Sequence, residues 1–98
     1  MAIKELIKPS AADKAQNATE LIRAWIVDKD LHCSLNVGVF GDNERIVWGI
    51  LLSDVARHVA DAIEREKGIP AKESLAQIAS SFDYEMRTPT AETKGNFI

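Results

Sequence analysis

Two groups of residues in this 98-residue chain have types and spacing that could do chemistry. The first lies on a single stretch. Asp54 and His58 stand four residues apart and Asp61 follows about one turn later. On a helix this sets a carboxylate beside an imidazole, which can orient a histidine for acid–base work or supply part of a metal site. The same stretch also reads as an ordinary solvated face. Asp54–Arg57, Arg57–Asp61 and Asp61–Arg65 have the spacing of helical ion pairs, worth about 0.2–0.5 kcal/mol each. The ion-pair reading is preferred, and His58 then sits at the border of the polar arc.

The second group is Arg23, Trp25, His32 and Asn36, which only strand pairing can bring together. A surface offering a cation, an aromatic ring and an amide is what interface hot spots and small anion sites use. The preferred reading packs Trp25 into an interface between two copies, with Arg23 across its ring. The alternative is a small-molecule pocket near Arg23, Trp25, His32 and His58. Trp48, Asp54 and His58 join the set as tentative ligand or interface residues. None is assigned a catalytic role.

Other chemistry has no visible seat. No His-Glu-x-x-His, Cys-x-x-Cys or EF-hand spacing occurs, so no metal is expected, and no cofactor is implied. No Gly-x-Ser-x-Gly elbow or glycine-rich phosphate loop is present. The single cysteine, Cys33, is expected on a core face, where a thiol behaves as a small hydrophobe and a poor nucleophile.

The elements that would position these residues follow from periodicity. Residues 19–28 and 31–39 are rich in β-branched and aromatic side chains and read as two strands, with Asp28-Lys29-Asp30 as turn chemistry between them. A two-residue loop at Lys29-Asp30 would set Ile26 against Cys33, Ala24 against Leu35 and Ile22 against Val37. One ribbon face is then wholly apolar, with Ile22, Ala24, Ile26, Cys33, Leu35 and Val37. The other carries Leu21, Arg23, Trp25 and Val27 against His32, Ser34 and Asn36.

Residues 44–67 read as one long helix of about 36 Å, with Asp42 or Asn43 at its N-cap. Its apolar arc is Trp48, Leu51, Leu52, Val55, Ala56, Val59, Ala62 and Ile63. Gly68 is the expected C-cap and Pro70 confirms the break. A second helix begins near Pro70 or at Ser74, whose spacing to Gln77 suits a capping box. Its stripe is Leu75, Ile78, Ala79, Phe82 and Met86, and it stops before Pro89.

The expected fold is therefore α+β, a β-hairpin followed by a long helix and a second amphipathic helix (ββαα). Residues 1–98 form one domain: an irregular arm over 1–17, a core over 18–88 and a polar tail over 89–98. The two helices are expected to cover the apolar face of the ribbon. Leu21, Trp25 and Val27 would remain outside, and both ribbon edges would stay unpaired. Dimerisation into a larger sheet, or stacking of the second faces, is the preferred remedy, and the alternative is the N-terminal arm folding over the exposed face within one chain.

The strings Thr19-Glu20-Leu21-Ile22-Arg23-Ala24-Trp25 and Trp48-Gly49-Ile50-Leu51-Leu52-Ser53-Asp54-Val55-Ala56-Arg57-His58-Val59-Ala60, with Phe82-Asp83-Tyr84-Glu85 and Pro89-Thr90, resemble a family of small bacterial single-domain proteins of unknown function. The likeness covers most of the chain from Thr19 onward. It implies a compact standalone bacterial domain and transfers no reaction, ligand or residue role.

Composition bounds the rest. Hydrophobic residues make up 46% and charged residues 28%, an ordinary globular balance. The net charge of −3 and the lack of a Lys/Arg stripe argue against nucleic acid as a partner. The longest uncharged apolar run is 46–52, far short of the roughly 20 residues that cross a bilayer. With one cysteine and no signal-peptide pattern at the N-terminus, a cytoplasmic protein is expected. The reading is a non-enzymatic homodimeric binding or regulatory module, with a small enzyme or ligand-binding protein as the alternative.

Overall fold

Two adjacent residues, Asp28 and Lys29, adopt positive φ of 51° and 72°, and they decide how the ribbon pairs. Positive φ at both central positions defines a type I′ turn, whose twist matches that of the flanking strands. The computed structural model describes residues 2–89 and the backbone of 94–97. In it β1 (Ile22–Val27) and β2 (Asp30–Leu35) form an antiparallel hairpin closed by Val27 opposite Asp30. The turn is thus Asp28-Lys29, not Lys29-Asp30. The pairing moves by two residues, so that Ile26 faces Leu31, Ala24 faces Cys33 and Ile22 faces Leu35.

A shift of two leaves every side chain on its own face, because side-chain direction alternates with period two. The expected division survives, with Leu31 taking a place on the apolar face beside Ile22, Ala24, Ile26, Cys33 and Leu35. Arg23, Trp25 and Val27 remain on the other face, opposite Ser34, His32 and Asp30. Asn36 continues that face, its backbone N–H donating to the Leu21 carbonyl at 3.0 Å. The strands are shorter than 19–28 and 31–39 because the pairing ends where β2 leaves for the linker.

The long helix, α2, runs Glu44–Lys67 as its periodicity requires, and ends at Gly68 with φ 73°. A residue without Cβ enters the left-handed region cheaply, and the Gly68 N–H donates to the Glu64 carbonyl at 2.8 Å to close the helix. Asn43 holds the N-cap position without a side-chain hydrogen bond, because a 3-10 turn, Gly41–Asn43, already leads into the helix. The second long helix, α3 (Ala71–Arg87), has Pro70 as its N-cap. Ser74 therefore lies inside the helix, at 9% exposure, and makes no capping box with Gln77. The two most buried residues are small and come one from each helix: Ala60 at 1% exposure and Ser74. Small side chains let the backbones of α2 and α3 approach closely along this seam.

Both ends of the chain differ from expectation. The N-terminal arm contains a short helix, α1 (Ser10–Lys14), because Pro9 is placed to start it: the Ala12 and Asp13 N–H groups donate to its carbonyl. The expected polar tail contains a strand, β3 (Lys94–Phe97), which pairs in parallel with β2 from His32–Lys94 to Leu35–Phe97. The sheet order is β1-β2-β3. β3 covers the β2 side of the ribbon, so the edges of the sheet are the outer sides of β1 and β3. Residues 90–93 and Ile98 of the tail lie outside the described residues.

The largest departure is in packing. Among the described residues neither long helix approaches a strand of the sheet within 8 Å, Cα to Cα. The helices do not cover the apolar ribbon face as expected. Ile26 is 71% exposed, and Phe82 and Met86 at the end of the α3 stripe are exposed too. Ala60 is the one large or small apolar residue that is fully buried among the described residues. The Cα radius of gyration is 15.3 Å, against about 12.6 Å for a compact domain of this length. No helix among the described residues is long and apolar enough to cross a membrane.

Candidate functional site

The hairpin brings Trp25 and His32 directly opposite one another on the polar–aromatic face, and both are half-buried. Side chains so placed are neighbours, with Cβ atoms about 4.5–5.5 Å apart. Arg23 lies one pair further along, opposite Ser34. Its guanidinium is engaged: Nη1 donates to Glu5 at 3.0 Å, while Nε and Nη2 donate to the two carboxylate oxygens of Glu20 at 3.2 Å each. The Glu20 hydrogen bonds and charge, with Glu5 adding to them, hold the Arg23 pKa above its ordinary value. Arg23 therefore straps the N-terminal arm to β1 and is not a vacant anion site.

A second cluster, which the sequence reading did not single out, sits at the joint between sheet and helices. The Glu44 carboxylate accepts a hydrogen bond from Trp48 Nε1 at 3.3 Å and another from the Gly38 backbone N–H. Phe40 meets the Trp48 ring edge to face, centroids 6.2 Å apart and planes at 83°. One acidic side chain in the first turn of α2 thus ties linker and helix together. The signal available in sequence was Glu44 four residues before Trp48, the spacing at which helical side chains meet. Trp48 is accordingly a linker anchor in this chain.

Asp54 pairs with Arg57, the first of the three expected helical ion pairs. Asp54 and His58 also rim an open apolar hollow of about 660 Å³ on α2, with Leu21, Phe40, Leu51 and Val55 among its walls. A different hollow, about 780 Å³, lies between the arm and the start of β1, and Arg23 and Trp25 line it. His32 lines neither. The structure thus joins Arg23, Trp25 and His32 on one face, and Asp54 and His58 on another. It does not gather Arg23, Trp25, His32 and His58 around one hollow of a single chain. Asn36 is held at the end of the first face through its backbone.

Cys33 is free, half-buried and on the apolar face, opposite Ala24. Among the described residues no group of three or more His, Cys, Asp or Glu side chains could hold a metal ion.

A three-stranded sheet carrying one apolar and one polar–aromatic face, joined by an anchored linker to a helical pair, defines the chain as a small α+β domain. It belongs to the family described as Domain of unknown function (DUF5076), whose model matches residues 5–90. The chain is also similar to a solved protein from the photosynthetic bacterium Rhodopseudomonas palustrus CGA009, described as a "putative pyruvate dehydrogenase". The two are 31% identical with a TM-score of 0.68, over 93% of this chain and 91% of that one. No curated protein matches the chain.

Proposed function

We propose that the chain works as a homodimeric, non-enzymatic binding or regulatory module of the bacterial cytoplasm. The observation that carries the reading is the surface left uncovered in one copy. A folded monomer of 10.8 kDa exposes about 5,500 Å² by the size scaling of compact proteins. This chain exposes 8798 Å². The surplus of about 3,300 Å² is some four times the roughly 800 Å² that each partner buries in an interface of standard size.

That surplus includes apolar side chains in registered rows, on the sheet face and along both long helices. Isolated exposed hydrophobes need no explanation, but contiguous ones mark interaction surfaces. The absence of a catalytic motif in the sequence supports a binding role, and the net charge of −3 gives no reason to expect nucleic acid. The bacterial setting is supported by the source of the similar solved structure.

The dehydrogenase description of that structure is not carried over. Oxidative decarboxylation of a 2-oxo acid requires an organic electron sink of the thiamine type, with its diphosphate held by a metal or a phosphate cradle. The sequence shows no glycine-rich phosphate loop that would seat such a group. The other alternative, a ligand pocket near Arg23, Trp25, His32 and His58, would need a second chain to bring its parts together.

Sedimentation equilibrium at micromolar concentration tests the proposal. The expected mass is twice 10.8 kDa. A single 10.8 kDa species at tens of micromolar would overturn it.

A further inference from the structure

We infer that the second copy is seated in one particular way: the apolar sheet face of each chain lies on the exposed apolar line of its partner's α2, so that the two copies exchange their hairpins. This rests on the dimer proposed above and adds its geometry.

Two apolar surfaces are left largely open within one chain. On the sheet, Ile22, Ala24, Ile26, Leu31, Cys33 and Leu35 share a face, about 17 Å along the strands. On α2, Leu51, Val55 and Val59 recur every four residues with Leu52 beside them, a line of about 12 Å. Leu52, Val55 and Val59 are all exposed. At about 100° per residue, Leu51 and Val55 lie about 180° and 140° round the helix from Ala60, the buried position of α2. A sheet with one apolar face and a helix with one apolar stripe form stable layers by packing on each other.

The linker explains why the cover comes from another chain. Residues 36–43 join sheet to helix, and their path is fixed. Gly38 and Gly41 adopt φ of 104° and 66°, Glu44 holds the Gly38 N–H and the Trp48 indole, and Phe40 rests on the Trp48 ring. With that joint in place, no strand Cα among the described residues comes within 8 Å of a Cα of either long helix. Within one chain so arranged, the sheet face and the α2 line do not meet. Receiving the partner's sheet breaks none of the joint's contacts. The surplus of about 3,300 Å² per chain leaves room for both layers, since an interface of standard size takes about 800 Å² from each partner.

Native Cys33, on the sheet face, is the probe. In a Cys33→Ala background, Leu52, Val55 and Val59 are each replaced by Cys, giving three chains whose only thiol is on α2. Each is refolded with an affinity-tagged wild-type chain and oxidised with a copper catalyst. Packed layers bring facing Cβ atoms to disulfide reach at one or more of the three positions. The expected result is a mixed disulfide between tagged and untagged chains, at least about tenfold above that given by Asp61→Cys on the polar side of α2. In parallel, V55C retaining Cys33 is diluted into excess Cys33→Ala chain, with V59C as the second variant should V55C fail to fold. No intrachain disulfide is expected. An intrachain disulfide overturns the exchange. So does a stable dimer giving no mixed disulfide at any of the three positions, and that result leaves the dimer itself standing. A monomer by sedimentation refutes both.

Discussion

Replacing Lys29 by glycine should stabilise the protein. Glycine usually weakens a structure because it loses more chain entropy on folding, by about 0.5–1 kcal/mol relative to alanine. At Lys29, however, φ is 72°, in the region that costs an L-residue with a Cβ about 1–2 kcal/mol. K29G removes that strain and incurs the entropy, a net gain of about 0.5–1 kcal/mol. For a domain of this size 1 kcal/mol moves Tm by about 4–8 °C, so a rise of about 2–8 °C is expected by circular dichroism melting. The comparison is made at one protein concentration, because association raises Tm by mass action. Gln77→Gly, at an exposed position inside α3, is the control and should lower stability by about 1 kcal/mol. Should K29G fall in step with Q77G, the type I′ turn at Asp28-Lys29, and with it the observed register, would be refuted.

Three further outcomes follow from the same structure. Ala60→Leu overfills the seam between α2 and α3 and should cost about 1–3 kcal/mol in urea unfolding, although leucine is a good helix former; an unchanged midpoint would place Ala60 outside any tight seam. Gly68→Ala meets open space at its new Cβ but keeps φ near 73°, so conformational strain alone should cost about 1 kcal/mol and lower Tm. Arg23→Gln releases Glu5 and Glu20 on an exposed surface, where such pairs contribute little to stability. Its Tm should stay unchanged while limited proteolysis within residues 2–20 speeds up. A pKa raised in the folded state contributes stability that is complete below the ordinary arginine value and is lost only as pH rises through the folded one. Through this guanidinium, arm attachment is therefore flat from neutral pH to about pH 10.

Periodicity, with the breaks at Gly68 and Pro70, determined the two long helices. The apolar spacing of 44–67, with Gly68 and Pro70 after it, put α2 at the bounds observed, because helix propagation and termination are set by neighbours a few residues away. The two ribbon faces were legible for the same reason: alternation with period two survives any even slip. The turn was not, since Asp28-Lys29-Asp30 supplies turn residues at each step and only the pairing of distant strands selects which two take positive φ.

Pairing across long separations stayed out of reach. β3 joins β2 from about 60 residues away, and its short segment carries no strand periodicity of its own, so the sheet had to supply the partner edge. The candidate site divides along the same line. That Arg23, Trp25 and His32 share a face could be read from the hairpin. That Glu5 and Glu20 occupy Arg23, and that Glu44 clamps the linker through Gly38 and Trp48, could not, because these contacts depend on where the folded backbone brings two side chains in three dimensions.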